Sequence, residues 1–147
     1  MRNEMELIFD GISDNEGFAR IAVAAFVTKL NPTLEEITDI KTAVSEAVTN
    51  CIIHGYEDKK GKVYMHCLLE GNILHIEIRD TGRGIENVER AMEPLFTTKP
   101  ELERSGMGFS FMEAFMDDLE VESTPGLGTT VRMTKKIGLG GWIENGE

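Results

Sequence analysis

The stretch Ser45–Gly55, SEAVTNCIIHG, and the glycine-rich turn Asp80–Ile85, DTGRGI, decide how the rest of this chain is read. A helix repeats about every 3.6 residues, so Glu46 and Asn50, at i and i+4, share one face a turn apart. Ile37, Ile40, Val44, Ala47, Val48 and Cys51 fall in a stripe centred roughly 140° away from Glu46. The helix thus has an apolar side for a core and, at its edge, a carboxylate and an amide aimed elsewhere. Exposed helix faces are mostly ordinary solvated surface. The motifs downstream argue for more than that here.

Working outward, Lys62–Glu70 and Ile73–Arg79 alternate apolar and polar residues and predict a hairpin across Gly71-Asn72. Asp80 shares the parity of Leu74, Ile76 and Ile78, so it is expected to be a buried carboxylate that needs a hydrogen-bond partner. Upstream, Glu4–Asp10 reads as a strand. Ser13–Glu16 reads as a capping box opening a helix from about Asp14 to Leu30, stopped by Asn31-Pro32. That helix has two apolar stripes: one of Phe18, Ile21, Ala22, Ala25 and Phe26, the other of Val23, Ala24 and Val27 with Arg20 at its N-terminal end. Two stripes suit two neighbours, with Arg20 as an interface anchor; alternatively both stripes are core and Arg20 snorkels. Thr33–Glu36 is a second capping box, and the apolar period from Leu34 carries the next helix to His54-Gly55.

Downstream, residues 86–105 contain Pro94, Pro100 and Thr97-Thr98-Lys99 without clean periodicity, as a lid or binding loop would. Gly106-Met107-Gly108 opens a helix from Phe109 to about Asp117, and its bare N–H groups suit phosphate. Asp118–Thr124 and Thr129–Lys136 form a last hairpin, and residues 138–147 read as a flexible tail. The domain is expected to span residues 1–137.

The chain has 147 residues and a formal net charge of −11, which disfavours general nucleic-acid binding. No direct DNA contact is expected. Its apolar runs fall well short of the ~18 residues that cross a bilayer, and its start is charged, so a cytoplasmic protein with no membrane contact is expected. Its two cysteines, Cys51 and Cys67, lack CxxC or metal-ligand spacing and read as buried free thiols. No Walker A motif is present, and neither Gly82-x-Gly84 nor Gly106-x-Gly108 completes a dinucleotide fingerprint.

The order of the motifs is more specific than any one of them. A helix with E-x-x-x-N, then strand-D-x-G-x-G, a long lid, G-x-G opening a helix, and G-T-T in a final hairpin resembles the nucleotide pocket of the gyrase, Hsp90, histidine-kinase and MutL superfamily. The resemblance covers about residues 33–136. With PLFTTKPELERSGMGF in the lid, the chain is similar to the stand-alone serine kinases that act as sporulation anti-sigma factors. The resemblance implies a Bergerat-type α/β (α+β) two-layer sandwich, its mixed, mainly antiparallel sheet covered on one face by helices. It also implies ATP and Mg²⁺ as cofactors. Asp80 would accept from the adenine amine, with Gly82 and Gly84 turning beside the base and Thr130 near it. Asn50 would ligate Mg²⁺. Gly106, Met107 and Gly108 would meet the phosphates, helped by Thr97, Lys99, Arg104 and Ser105, and Glu46 would be the catalytic base.

The implied function is a homodimeric protein-serine kinase that phosphorylates an anti-anti-sigma factor and binds a sporulation sigma factor (sigma-F), with Arg20 near the partner surface. A conformational ATPase, or a nucleotide-gated sigma-binding module without turnover, are the alternatives. His54 reads as a helix-end histidine near the C-terminal dipole.

Overall fold

The computed structural model describes residues 2–93 and 108–138, and its alternating segments become one five-stranded sheet. The strands are β1 (Arg2–Asp10), β2 (Lys62–Glu70), β3 (Ile73–Asp80), β4 (Asp118–Thr124) and β5 (Gly128–Lys136). They lie in the order β1-β2-β3-β5-β4, and every described pairing is antiparallel. The period of two puts Val63, Met65, Cys67, Leu69, Leu74, Ile76, Ile78, Val131 and Met133 on one buried face. The opposite face is polar. There Arg132 reaches Glu77 at 3.0 Å and Glu122 at 2.7 Å, and the Arg79 guanidinium lies 4.1 Å from the Tyr64 ring centroid. This one-sided patterning is what an antiparallel sheet covered on a single face requires.

The covering layer is α1 (Asp14–Phe26), α2 (Leu34–Thr49) and α4 (Phe109–Phe115), with α2 packed between the other two. A single short turn of helix, α3 (Val88–Ala91), is capped by Asn87, whose side chain accepts from the Arg90 N–H at 2.9 Å. It falls in the aperiodic stretch and buries Ala91.

In α2, Ile40, Ala43, Val44, Ala47 and Val48 are buried, and Cys51 extends that stripe past the helix end. The predicted capping box forms: the Glu36 N–H donates to Thr33 Oγ1 at 3.0 Å, and the Thr33 N–H donates to Glu36 Oε1 at 2.9 Å. Leu34, however, is 86% exposed, so the buried stripe begins a turn later.

The other predicted box does not form. Ser13 makes no side-chain cap, because Glu16 is engaged across the helix pair, accepting from the Ser45 hydroxyl and pairing with Arg20 at 3.1 Å. Tertiary partners win over a local cap that contributes only about 1 kcal/mol.

Helix α1 turns Ala19 and Val23 inward, continued by Val27 in the following 3₁₀ turn (Val27–Leu30), and leaves Phe18 and Ile21 exposed. The first stripe is therefore split: Ala22 and Phe26 pack against the core, while Phe18 and Ile21 face outward. Among the described residues no helix is long and apolar enough to cross a membrane.

Candidate functional site

The hydrogen-bond ladder of α2 does not end at Thr49 but widens into a π-helical turn over Asn50–Gly55. Such widened turns occur often at functional sites, because they rotate side chains out of the α-helical phase. Here the widening brings Asn50, Cys51, His54 and Gly55 to the C-terminal end of β3. The DTGRGI turn is fastened onto it by the Arg83 N–H to the Gly55 carbonyl and the Arg83 Nε–H to the His54 carbonyl, each 2.9 Å.

Glycine is required at the contact. A Cβ on Gly82 would stand 2.1 Å from the Gly55 carbonyl oxygen. Tyr56 locks the same turn from behind: its hydroxyl accepts the Thr81 N–H at 2.8 Å and donates to the Lys62 carbonyl at 2.6 Å. Ser123 secures the far end by accepting the Ile85 N–H at 2.7 Å, and it also meets the Thr129 hydroxyl at 2.7 Å.

These contacts enclose a cleft lined by Ala47, Asn50, Cys51, His54, Ile78, Asp80, Gly84, Ile85, Phe109, Thr129 and Val131. Its walls are largely apolar, with a few polar groups converging inside, as small-molecule sites require. Asp80 is 4% exposed, and burial pushes its carboxyl above the usual carboxylate range. The Gly82 N–H, which donates to Oδ1 at 2.9 Å, opposes that shift, together with the neighbouring Cys51 and Thr129. A carboxylate held in an apolar wall by neutral donors suits a ligand that brings one further N–H.

Glu46 lies one turn before Asn50, and its carboxylate meets the start of α4. A Cβ on Gly108, whose φ is +73°, would stand 2.2 Å from Glu46 Oε1. Glu46, Asn50 and Asp80 thus converge on one end of the sheet, as do Gly82, Gly84 and Gly108. Thr130 does not join them. It shares the parity of Arg132 on the outer face, beside Arg79 and Glu122, and Thr129 faces the cleft in its place. Arg20 sits at the α1–α2 seam with Glu16. Thr97, Lys99, Arg104, Ser105, Gly106 and Met107 lie outside the described residues.

Sequence reasoning missed Cys51, Tyr56, Ser123 and Thr129 as parts of the site. The parity of Val131 and Met133 on β5 was the available signal for Thr129; the other three show themselves only through tertiary contacts.

Residues 15–135 match the histidine kinase-like ATPase domain family. Over 136 residues the chain is 64% identical to the anti-sigma F factor of Thermoanaerobacter sp. (strain X514), covering 92% of this chain and 95% of that one. It is 58% identical over 138 residues to the anti-sigma F factor of Bacillus subtilis (strain 168), covering 93% and 94%. The chain belongs to the anti-sigma F factor family.

Two solved structures share the fold of this anti-sigma F factor family member. The RsbU and RsbW domains of Rv1364c from Mycobacterium tuberculosis superpose with a TM-score of 0.66 at 20% identity, over 92% of this chain and 32% of that one. The catalytic domain of the histidine kinase ThkA superposes with a TM-score of 0.57 at 14% identity, over 92% and 96%. The cleft lies wholly inside the segment that matches the ATPase domain family.

Proposed function

We propose that this cleft binds ATP with Mg²⁺ and that the protein is a serine kinase acting on an anti-anti-sigma factor. In its nucleotide-bound, dimeric form it would also hold a sporulation sigma factor, sigma-F, in the cytoplasm. The observation that carries the reading is the convergence of Glu46, Asn50 and Asp80 at one end of the sheet, where the backbones of Gly55 and Gly82 meet too closely for a Cβ on Gly82. The anti-sigma F factor relatives support the partner classes, and the ATPase domain family supports the nucleotide.

The residues present fit the ligand. Asp80 offers a buried acceptor to the adenine amine, the Gly55–Gly82 contact fixes the turn that carries it, and the Asn50 amide oxygen is a hard ligand for Mg²⁺. The metal, when bound, supplies charge neutralisation to the phosphate oxygens. Glu46 Oε1, beside Gly108 at the start of α4, would accept the proton of an incoming serine hydroxyl. Asn50 orients and Glu46 moves a proton, so the two roles separate along one helix face.

Phe18 and Ile21 are apolar and exposed on α1, next to Arg20, which supports that face as the surface offered to a second copy or to protein partners. Glu46→Gln keeps the shape of the side chain and removes the base. Phosphate transfer to the anti-anti-sigma factor is expected to fall about 10²- to 10⁴-fold with ATP binding nearly unchanged. Transfer at the wild-type rate would remove Glu46 from the mechanism.

A further inference from the structure

Glu16 stands at the seam of α1 and α2 with a partner on each helix. From α2 the Ser45 hydroxyl donates to Glu16 Oε2, and along α1 the Arg20 Nε lies 3.1 Å from the same oxygen. The Arg20 Nε atom is closed off from solvent, whereas the side chain as a whole is 43% exposed. Its Nη2 passes 3.5 Å from where a Cβ on Gly17 would stand, so the guanidinium lies back along the first turn of α1. Arg20 is the one basic residue of that helix, and Ile21 next to it is exposed. An i,i+4 ion pair at a half-exposed site orders its side chains only weakly. The Ser45 hydroxyl adds a third group, from a different helix and on a short side chain, and so fixes the pair in one arrangement.

We infer that Ser45 is a positioning residue for the protein substrate: its hydroxyl holds the Glu16 carboxylate, and Glu16 holds the Arg20 guanidinium ready for a carboxylate of the incoming anti-anti-sigma factor. The inference rests on the proposed role of the α1 face as a surface offered to protein partners. Pairing between a guanidinium and a carboxylate is planar and directional, so it gains from a side chain ordered in advance. Without the Ser45 hydroxyl, Glu16 and Arg20 regain their rotamers, and ordering them falls on the docking step. Once the partner is seated, the groups at Glu46 and Asn50 are the same as before.

The test measures kcat and KM for phosphate transfer to the anti-anti-sigma factor, together with the Kd of Mg-ATP. The full chain is compared with Ser45→Ala, Ser45→Thr, Arg20→Ala and the Ser45→Ala/Arg20→Ala double variant. Ser45→Ala is expected to raise KM about 3- to 10-fold, with kcat and the ATP Kd within about 2-fold of wild type and threonine restoring KM. In the Arg20→Ala background the same change should add nothing, because its effect runs through the guanidinium. A wild-type KM in Ser45→Ala, a fall in kcat in its place, or an equal rise in KM with and without Arg20 would reject the role of Ser45; a raised KM in Arg20→Ala would then leave the α1 surface standing. A wild-type KM in Arg20→Ala would overturn the reading of that surface and this inference together, and no transfer even by wild type would overturn the kinase reading itself.

Discussion

Gly82→Ala tests the contact on which the cleft is built. The added methyl would stand 2.1 Å from the Gly55 oxygen and 2.4 Å from its carbonyl carbon, where ordinary contact begins at 3.4 Å. Both neighbours are backbone, so no side chain can swing aside, and the DTGRGI turn must lift from Gly55 by about 1 Å. That movement stretches the Arg83 N–H bond to the Gly55 carbonyl and withdraws the Gly82 N–H from Asp80.

Overpacking of this kind costs about 1–3 kcal/mol. Melting should fall by roughly 3–10 °C for a chain of this size. Gly71→Ala is the control. It shares a glycine-to-alanine change in a turn, at φ +62°, but nothing lies within 4 Å of its added Cβ. Thermal unfolding with and without Mg-ATP measures both terms: Gly82→Ala should lower the melting point and lose most of the ATP-induced rise, whereas Gly71→Ala should keep that rise. A Gly82→Ala protein with wild-type melting and a full ATP response would refute the account of the turn.

Tyr56→Phe removes one hydroxyl that serves two backbone groups, the Thr81 N–H and the Lys62 carbonyl. The urea midpoint should fall by an amount equivalent to about 1–3 kcal/mol with the slope unchanged, and a loss below about 0.5 kcal/mol would contradict that role. The Asp80 carboxyl is raised by burial, so the native state binds its proton more tightly than the unfolded chain does. Its contribution is therefore fully present below the ordinary carboxylate pKa of about 4 and is lost as pH rises through the raised native value. Nucleotide-free wild type should accordingly lose stability relative to Asp80→Asn as pH rises through that window, read as the difference in melting temperature; the opposite slope would mean that the carboxylate is stabilised as the anion.

Much of this arrangement was legible because it follows from periodicity. The 3.6-residue spacing of Ile40, Val44, Ala47 and Val48 set Glu46 and Asn50 at the edge of α2, and the alternation through β3 buried Asp80 beside Ile78. The Thr33–Glu36 box was local chemistry and formed as read. What escaped depends on partners distant in sequence. The box at Ser13 yielded to the Glu16 contacts with Ser45 and Arg20. The π-helical turn at Asn50 accompanies a backbone approach between Gly55 and Gly82 that no local propensity announces. Thr130, carried over from the resemblance, lies on the outer face: Val131 and Met133 face inward and Thr129 lines the cleft, so Thr130 faces out.

The most direct test of the kinase reading follows the terminal phosphate. The protein is incubated with Mg²⁺ and ATP labelled at that phosphate, with and without the anti-anti-sigma partner, and the label is traced by gel and by chromatography. The account predicts label on a partner serine, dependent on Glu46, and little free phosphate when the partner is absent. Label released as free phosphate without a partner, or remaining on bound ATP with the partner present, would contradict it.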